Sequence, residues 1–140
     1  MYSESGIFKL YIADVGLLGA MSDLDAKTLI EGNEIFREFK GSLTEQYVLQ
    51  QLVTLKDISA YYWSAETATA EIDFVLQYEG KVVPLEVKAE ENLKAKSLRA
   101  YSDKFHPPIA VRTSLSDFRK EEWLTNLPLY ALHLIRDLFE

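Results

Sequence analysis

The sequence predicts an α/β domain in which one mixed β-sheet is flanked by helices. Three observations carry that reading. From Ser42 onward the apolar pattern runs helix, strand, strand, strand, helix, strand. A strand–helix–strand step implies a parallel pair with a right-handed crossover, whereas a tight turn at Glu79-Gly80 implies an antiparallel pair, so the sheet must be mixed. Finally, 140 residues that are 48% hydrophobic and 26% charged suit a single globular domain with a sizeable core.

Taken in chain order, "GIFKLYIAD" reads as a short strand and "DVGLLGAM" as a helical turn with Asp14 as N-cap. Residues 21–41 mix charges with Gly32 and Gly41 and read as short helices and loops. Residues 1–41 thus form an N-terminal strand and helical extension packing on a core spanning 42–140. The core opens with the clearest helix, "SLTEQYVLQQLVTLK", where Leu43, Tyr47, Val48, Leu52 and Leu55 share one stripe. "ISAYYWSA" follows as an aromatic-rich strand, then "EIDFVLQYEGKVVPLEVKA" as a hairpin. Tyr61, Tyr62 and Trp63 suit a half-buried strand better than a base-stacking platform. "NLKAKSLRAYSDKF" is a second helix, ended by His106-Pro107-Pro108. "IAVRTSL" and "LPLYALHLI" read as two further strands, with a short helical tail. Pro84 cannot donate to a ladder, so one side of its strand must be free there.

The composition narrows the function classes. There are no cysteines, which removes disulfides and thiolate zinc sites and fits a reducing compartment. No apolar run approaches the roughly 20 residues of a membrane-spanning helix, and no secretory leader opens the chain, so a cytoplasmic protein with no membrane partner is expected. Structured-looking sequence begins almost at once, as in a piece of a longer protein. The net charge of −7 argues against a dominant phosphate-binding surface. The charge is uneven, however: residues 81–112 hold seven Lys/Arg against four acids.

The hairpin is where chemistry concentrates. With Glu79-Gly80 as a two-residue turn, Tyr78 pairs with Lys81, Asp73 falls opposite Glu86, and Glu71 falls opposite Lys88. Directly opposed side chains share a face. All four charged residues are then expected on one face, with Ile72, Phe74, Leu76, Val83, Leu85 and Val87 on the other. Two carboxylates whose Cβ atoms lie about 4.5–5.5 Å apart repel one another. Either one of them keeps a proton, or a hard cation such as Mg²⁺ sits between them. Lys88 could orient a water there. The bland alternative is an ion-pair ladder on a solvated face, with Glu71 and Asp73 answered by Lys88 and Lys81. Lys94, Lys96 and Arg99 follow on the next helix and could contact nucleic-acid phosphates, although a solvated helix face ranks ahead of that reading. His106 and His133 have no partner spacing that suggests a metal or a triad.

Asp73 followed by Glu86-Val87-Lys88 resembles the D…(D/E)-x-K signature of the PD-(D/E)XK nuclease superfamily. The element order from Ser42 to Leu115 is similar to its restriction-endonuclease-like αβββαβ core. The resemblance implies Mg²⁺- or Mn²⁺-dependent phosphodiester hydrolysis. Asp73, Glu86 and the Val87 backbone carbonyl would hold the metal, Lys88 would serve the attacking water, and Glu45 would be an accessory acid from the preceding helix. Glu45 also fits a local role, because Ser42-Leu43-Thr44-Glu45 makes a capping box, and that reading ranks ahead of the ligand. "KLYIADVGLL", "GSLTEQYVLQQL", "YYWS", "EIDFVL" and "VPLEVKA" further resemble the C-terminal domain of unknown function attached to bacterial and archaeal AAA-type P-loop ATPases. That implies an N-terminal P-loop ATPase domain as partner in the same protein, although no G-x-x-x-x-G-K-[ST] loop lies in this chain. Two function classes follow: a metal-dependent nuclease, or a catalytically inactive binding or regulatory module of the ATPase.

Overall fold

The computed structural model describes residues 8–23, 34–65, 70–89 and 94–139, with the backbone alone for 34–38. Its helices are α1 (Val15–Met21), α2 (Glu34–Leu52) and α3 (Lys96–Phe105). Its strands are β1 (Ser59–Ser64), β2 (Glu71–Tyr78), β3 (Lys81–Val87), β4 (Val111–Ser114), β5 (Arg119–Lys120) and β6 (Thr125–Pro128). A 3₁₀ helix, Leu129–Leu138, follows β6. The strands form one six-stranded sheet in the order β1-β2-β3-β4-β6-β5. β4 runs parallel to both β3 and β6, and the other neighbours are antiparallel. The mixed α/β architecture expected from the sequence is the one that forms.

The hairpin adopts the expected register, Tyr78 against Lys81 through Phe74 against Leu85. Glu79 and Gly80 have φ of 46° and 78°, the two positive values of a type I′ turn, whose twist matches that of the strands. The register also resolves Pro84. Tyr78 and Lys81 close the hairpin as a hydrogen-bonded pair, and such pairs alternate along an antiparallel ladder. Val75 and Pro84 therefore exchange no bonds, and the missing N–H points toward β4, whose ladder starts one residue later at Leu85–Val111.

The sheet is covered on both faces. Val48 and Leu52 of α2, with Leu132 and Ile135 of the 3₁₀ helix, pack on Phe74, Leu76, Val83, Leu85, Val87, Val111 and Leu127. Ala95, Leu98 and Tyr101, at α3, pack on Ile72, Val75, Ala110 and Leu124. Ile72 was expected on the same face as Phe74 and lies on the other one. The cause is a β-bulge: Tyr61 faces Val75 but Trp63 faces Ile72, so Asp73 and Phe74 together oppose Tyr62. The extra residue reverses the alternation.

Two expectations at the N-terminal side are corrected. Residues 8–12 form no strand. The segment is tied instead to α2 through Ile12: Gln46 Oε1 accepts from Ile12 N–H at 2.9 Å while Gln46 Nε2 donates to the Ile12 carbonyl; just beyond it, Gln50 Oε1 accepts from Val15 N–H at 2.9 Å. Ser42 is not an N-cap, because α2 begins at Glu34 and runs through it; most of the remaining 21–41 stretch lies outside the described residues. Asp14 does cap α1, accepting from Leu17 N–H at 2.9 Å. Gln46 is only 2% exposed, so Gln46→Ala should lower stability by about 1–3 kcal/mol through the polar groups it orphans, read as a shift in the urea midpoint.

Only the first residues of "LPLYALHLI" are strand. Leu129, Leu132, Ile135 and Leu138 recur every third residue, the spacing that a 3₁₀ helix places on one side, and all four pack toward the core. β5 has no counterpart in the sequence reading. α3 ends as expected at His106, which is in the left-handed region with φ 47°.

Candidate metal and phosphodiester site

β2 and β3 are antiparallel, so the start of one lies beside the end of the other. That brings Glu71, Asp73, Glu86 and Lys88 to one end of the sheet. The bulge sits at this end and opens the ladder. The next main-chain bond after Phe74–Leu85 would use Val87 N–H, but that group donates to Asp73 Oδ2 at 2.7 Å. The carboxylate of Asp73 is thereby anchored between Glu86 and Lys88 along β3.

The four charged residues do not share one face. Glu86 alternates with Leu85 and Val87, which pack under α2, so its side chain opens toward α3 beside its β4 neighbour Arg112. It is buried, at 5% exposure. Lys88 Nζ lies 2.6 Å from Glu86 Oε1, and Glu86 Oε2 is buried with no hydrogen-bond partner among the described residues. The expected pairing of Glu71 with Lys88 does not form, because the bulge moves Glu71 out of step. Glu71 pairs instead with Lys9.

α2 supplies the fifth charge. Glu45 is freed from the capping role by the longer helix. Its Oε2 lies 3.7 Å from Lys9 Nζ and accepts from the Tyr11 hydroxyl at 3.4 Å. Lys9 and Tyr11 were not among the sequence candidates. They reach the site because the 8–12 segment is mounted on Gln46, one residue along α2 from Glu45. Tyr11 also packs on Phe74, with ring centroids 6.0 Å apart.

Electrostatics single out Asp73. Burial pushes its pKa from 3.8 up to about 6; the Val87 N–H works against this, Glu45 adds to it, Lys9 opposes it, and Glu86 raises it further. The two signature carboxylates therefore sense each other. Burial disfavours the Lys9 ammonium, but Glu71 and Glu45 outweigh that and its pKa is raised. Burial, then Glu45, pushes the Tyr11 hydroxyl up to about 12.

These groups fit a hard divalent cation in one respect and constrain it in another. The donors are all oxygens, and the orphaned Glu86 Oε2 is a buried lone pair that a cation would satisfy. Among the described residues, however, no three His, Cys, Asp or Glu converge as a metal cage. A metal here would take two carboxylates and complete its shell with water and phosphate, as Mg²⁺ commonly does.

The basic residues proposed for nucleic acid divide. Lys94 and Lys96 are exposed. Arg99 is committed locally, 3.0 Å from Asp103 and stacked over Trp123 at 5.0 Å. Trp63 is a packing residue, edge-on to Tyr101 at 5.1 Å and to Phe105 at 5.7 Å. No described helix is long and apolar enough to cross a membrane.

Searches of curated proteins and of solved structures return no match. Among protein families, residues 40–132 match DUF4143, a domain of unknown function. That match takes in α2 from Lys40 onward, the whole sheet and every signature residue from Glu45 to Lys88, and on it the chain belongs to the DUF4143 family.

Proposed function

We propose that the end of the sheet carrying Asp73, Glu86 and Lys88 hydrolyses phosphodiester bonds of nucleic acid with Mg²⁺ or Mn²⁺. In this reading the chain is the C-terminal domain of a cytoplasmic AAA-type ATPase, whose P-loop domain is its partner. The observation that carries the chemistry is Glu86: a buried carboxylate with one oxygen on Lys88 and the other without a hydrogen-bond partner among the described residues. Asp73 and Glu86 would be the metal's protein ligands, with the Val87 carbonyl as a third. When bound, the metal would polarise the phosphate and stabilise developing charge. The Val87 N–H fixes one oxygen of Asp73, so the carboxylate is oriented before any ligand arrives. Lys88, tethered by its own backbone N–H to the Thr113 carbonyl at 2.9 Å, would hold the attacking water. Glu45 is the accessory acid, and Lys94 and Lys96 are the phosphate contacts.

The test is incubation of the purified chain with single- and double-stranded DNA and RNA in Mg²⁺ or Mn²⁺. Cleavage should fall by about a hundredfold or more in both Asp73→Ala and Lys88→Ala. No cleavage of any substrate, with no Mn²⁺ binding by calorimetry, sinks the proposal. The closed Lys88–Glu86 ion pair favours a second reading, a catalytically inactive binding or regulatory module of the ATPase, and that negative result would select it.

A further inference from the structure

Building on the metal-site reading above, we propose that Lys9 is the resident counter-cation of this carboxylate cluster. A divalent metal has to displace it, and the 8–14 segment is a strap that sets how readily metal loads. Three observations carry this.

The first is the position of the ammonium. Lys9 Nζ is ion-paired to Glu71 of β2 and to Glu45 of α2 at 3.7 Å, and faces the Tyr62 ring at 5.8 Å. Those two elements frame Asp73. Lys9 thus neutralises the acids flanking Asp73, as a metal ion would.

The second is that Glu45 is doubly held. Lys9 and the Tyr11 hydroxyl both address its Oε2. For Glu45 to turn toward Asp73 and Glu86, both must give way. This accounts for the lack of three converging acids among the described residues, although four acids lie at this end of the sheet. Glu86, 5% exposed with Oε2 unpartnered, is the independent sign that something other than protein belongs beside the cluster.

The third is how the strap is attached. Residues 8–12 join no ladder and hang on the Gln46 side chain through Ile12, while Gln50 holds Asp14 and Val15 just beyond them. Phe8 and Leu10 alternate with Lys9 and Tyr11 and point outward, 79% and 86% exposed. A segment held by a few side-chain bonds is drawn from the low-stability end of the fold, so it can lift without disturbing the sheet.

Mn²⁺ binding measured by calorimetry on the full chain at constant pH tests this, with no turnover needed. Lys9→Gln should tighten Mn²⁺ roughly tenfold, since it removes a competing unit charge a few ångströms away. Lys9→Arg should stay within about twofold of the parent. Adding Glu45→Gln to Lys9→Gln should abolish the gain. Should Lys9→Gln unfold the chain, Gln46→Ala, which loosens the strap and leaves the charge in place, should tighten Mn²⁺ instead. Binding by Lys9→Gln alone, with none by the parent, also supports the proposal. If the parent binds and Lys9→Gln binds equally or more weakly, Lys9 is a scaffold and this inference is wrong, while the metal site stands. If neither binds, both are wrong.

Discussion

At pH 7.5, Asp73→Asn should be more stable than the parent chain by about 1–3 kcal/mol, and the difference should vanish near pH 4. The sign follows from burial. The Asp73 pKa is raised from 3.8 to about 6, so between those values the folded state holds a proton that the unfolded chain has released. Stability therefore falls as pH rises through this window, with the full penalty above about 6 and none below 3.8. A shift of about two pKa units corresponds to about 3 kcal/mol. Asparagine can still accept from Val87 N–H, but its amide must find an acceptor of its own, which brings the gain below that ceiling. Urea midpoints at pH 4, 5, 6 and 7.5 measure the effect, and equal stability of the two proteins across the series would contradict it.

A carboxylate that costs stability at neutral pH asks for a reason beyond the fold. Strained or destabilising groups collect at functional sites, where activity needs a charge that packing does not. A metal ligand is such a reason. If Asp73 is one, Mn²⁺ should raise the urea midpoint of the parent at pH 7.5 and leave that of Asp73→Asn unmoved.

The sequence carried the spacing of Asp73, Glu86 and Lys88, the turn at Glu79-Gly80 and the order of the strands, because each is local or follows from alternation. The bulge at Asp73-Phe74 is different. It is a miscount against Tyr62 on a neighbouring strand, and nothing within "EIDFVL" announces it. Ser42-Leu43-Thr44-Glu45 misled because a good local cap signal was overridden: "EIFREFKG" upstream is itself helix-compatible, and the helix simply continued through. Lys9 and Tyr11 were invisible for a third reason. They meet Glu45 across a long sequence separation, through glutamines whose role only the folded chain reveals. The 3₁₀ helix reads as a strand in the sequence: Leu129, Leu132, Ile135 and Leu138 repeat every third residue, but a strand-like run of apolar residues masks that period.

Arg112 was also unreadable in advance, and it carries the largest stability effect expected here. "VRTS" looks like a strand with one arginine pointing to water, yet Arg112 is 2% exposed. Its Nε donates to Asn126 Oδ1 at 2.9 Å and its Nη2 to Glu121 Oε1 at 3.0 Å. Asn126 in turn accepts from the Ser114 hydroxyl and donates to the Ser116 and Asp117 carbonyls, tying the turn before β5 to β6. On its other side, Arg112 is the register neighbour of the buried Glu86. Arg112→Met keeps much of the volume and removes the charge. It should cost about 3–5 kcal/mol, since Asn126 Oδ1 and Glu121 would lose the buried cation they both contact. Glu121→Gln should cost far less, because that carboxylate reaches solvent. Chemical denaturation of both variants decides the matter. A loss of under about 1 kcal/mol for Arg112→Met would mean that its bonds to Asn126 and Glu121 contribute little, and that the guanidinium is a passenger in the sheet.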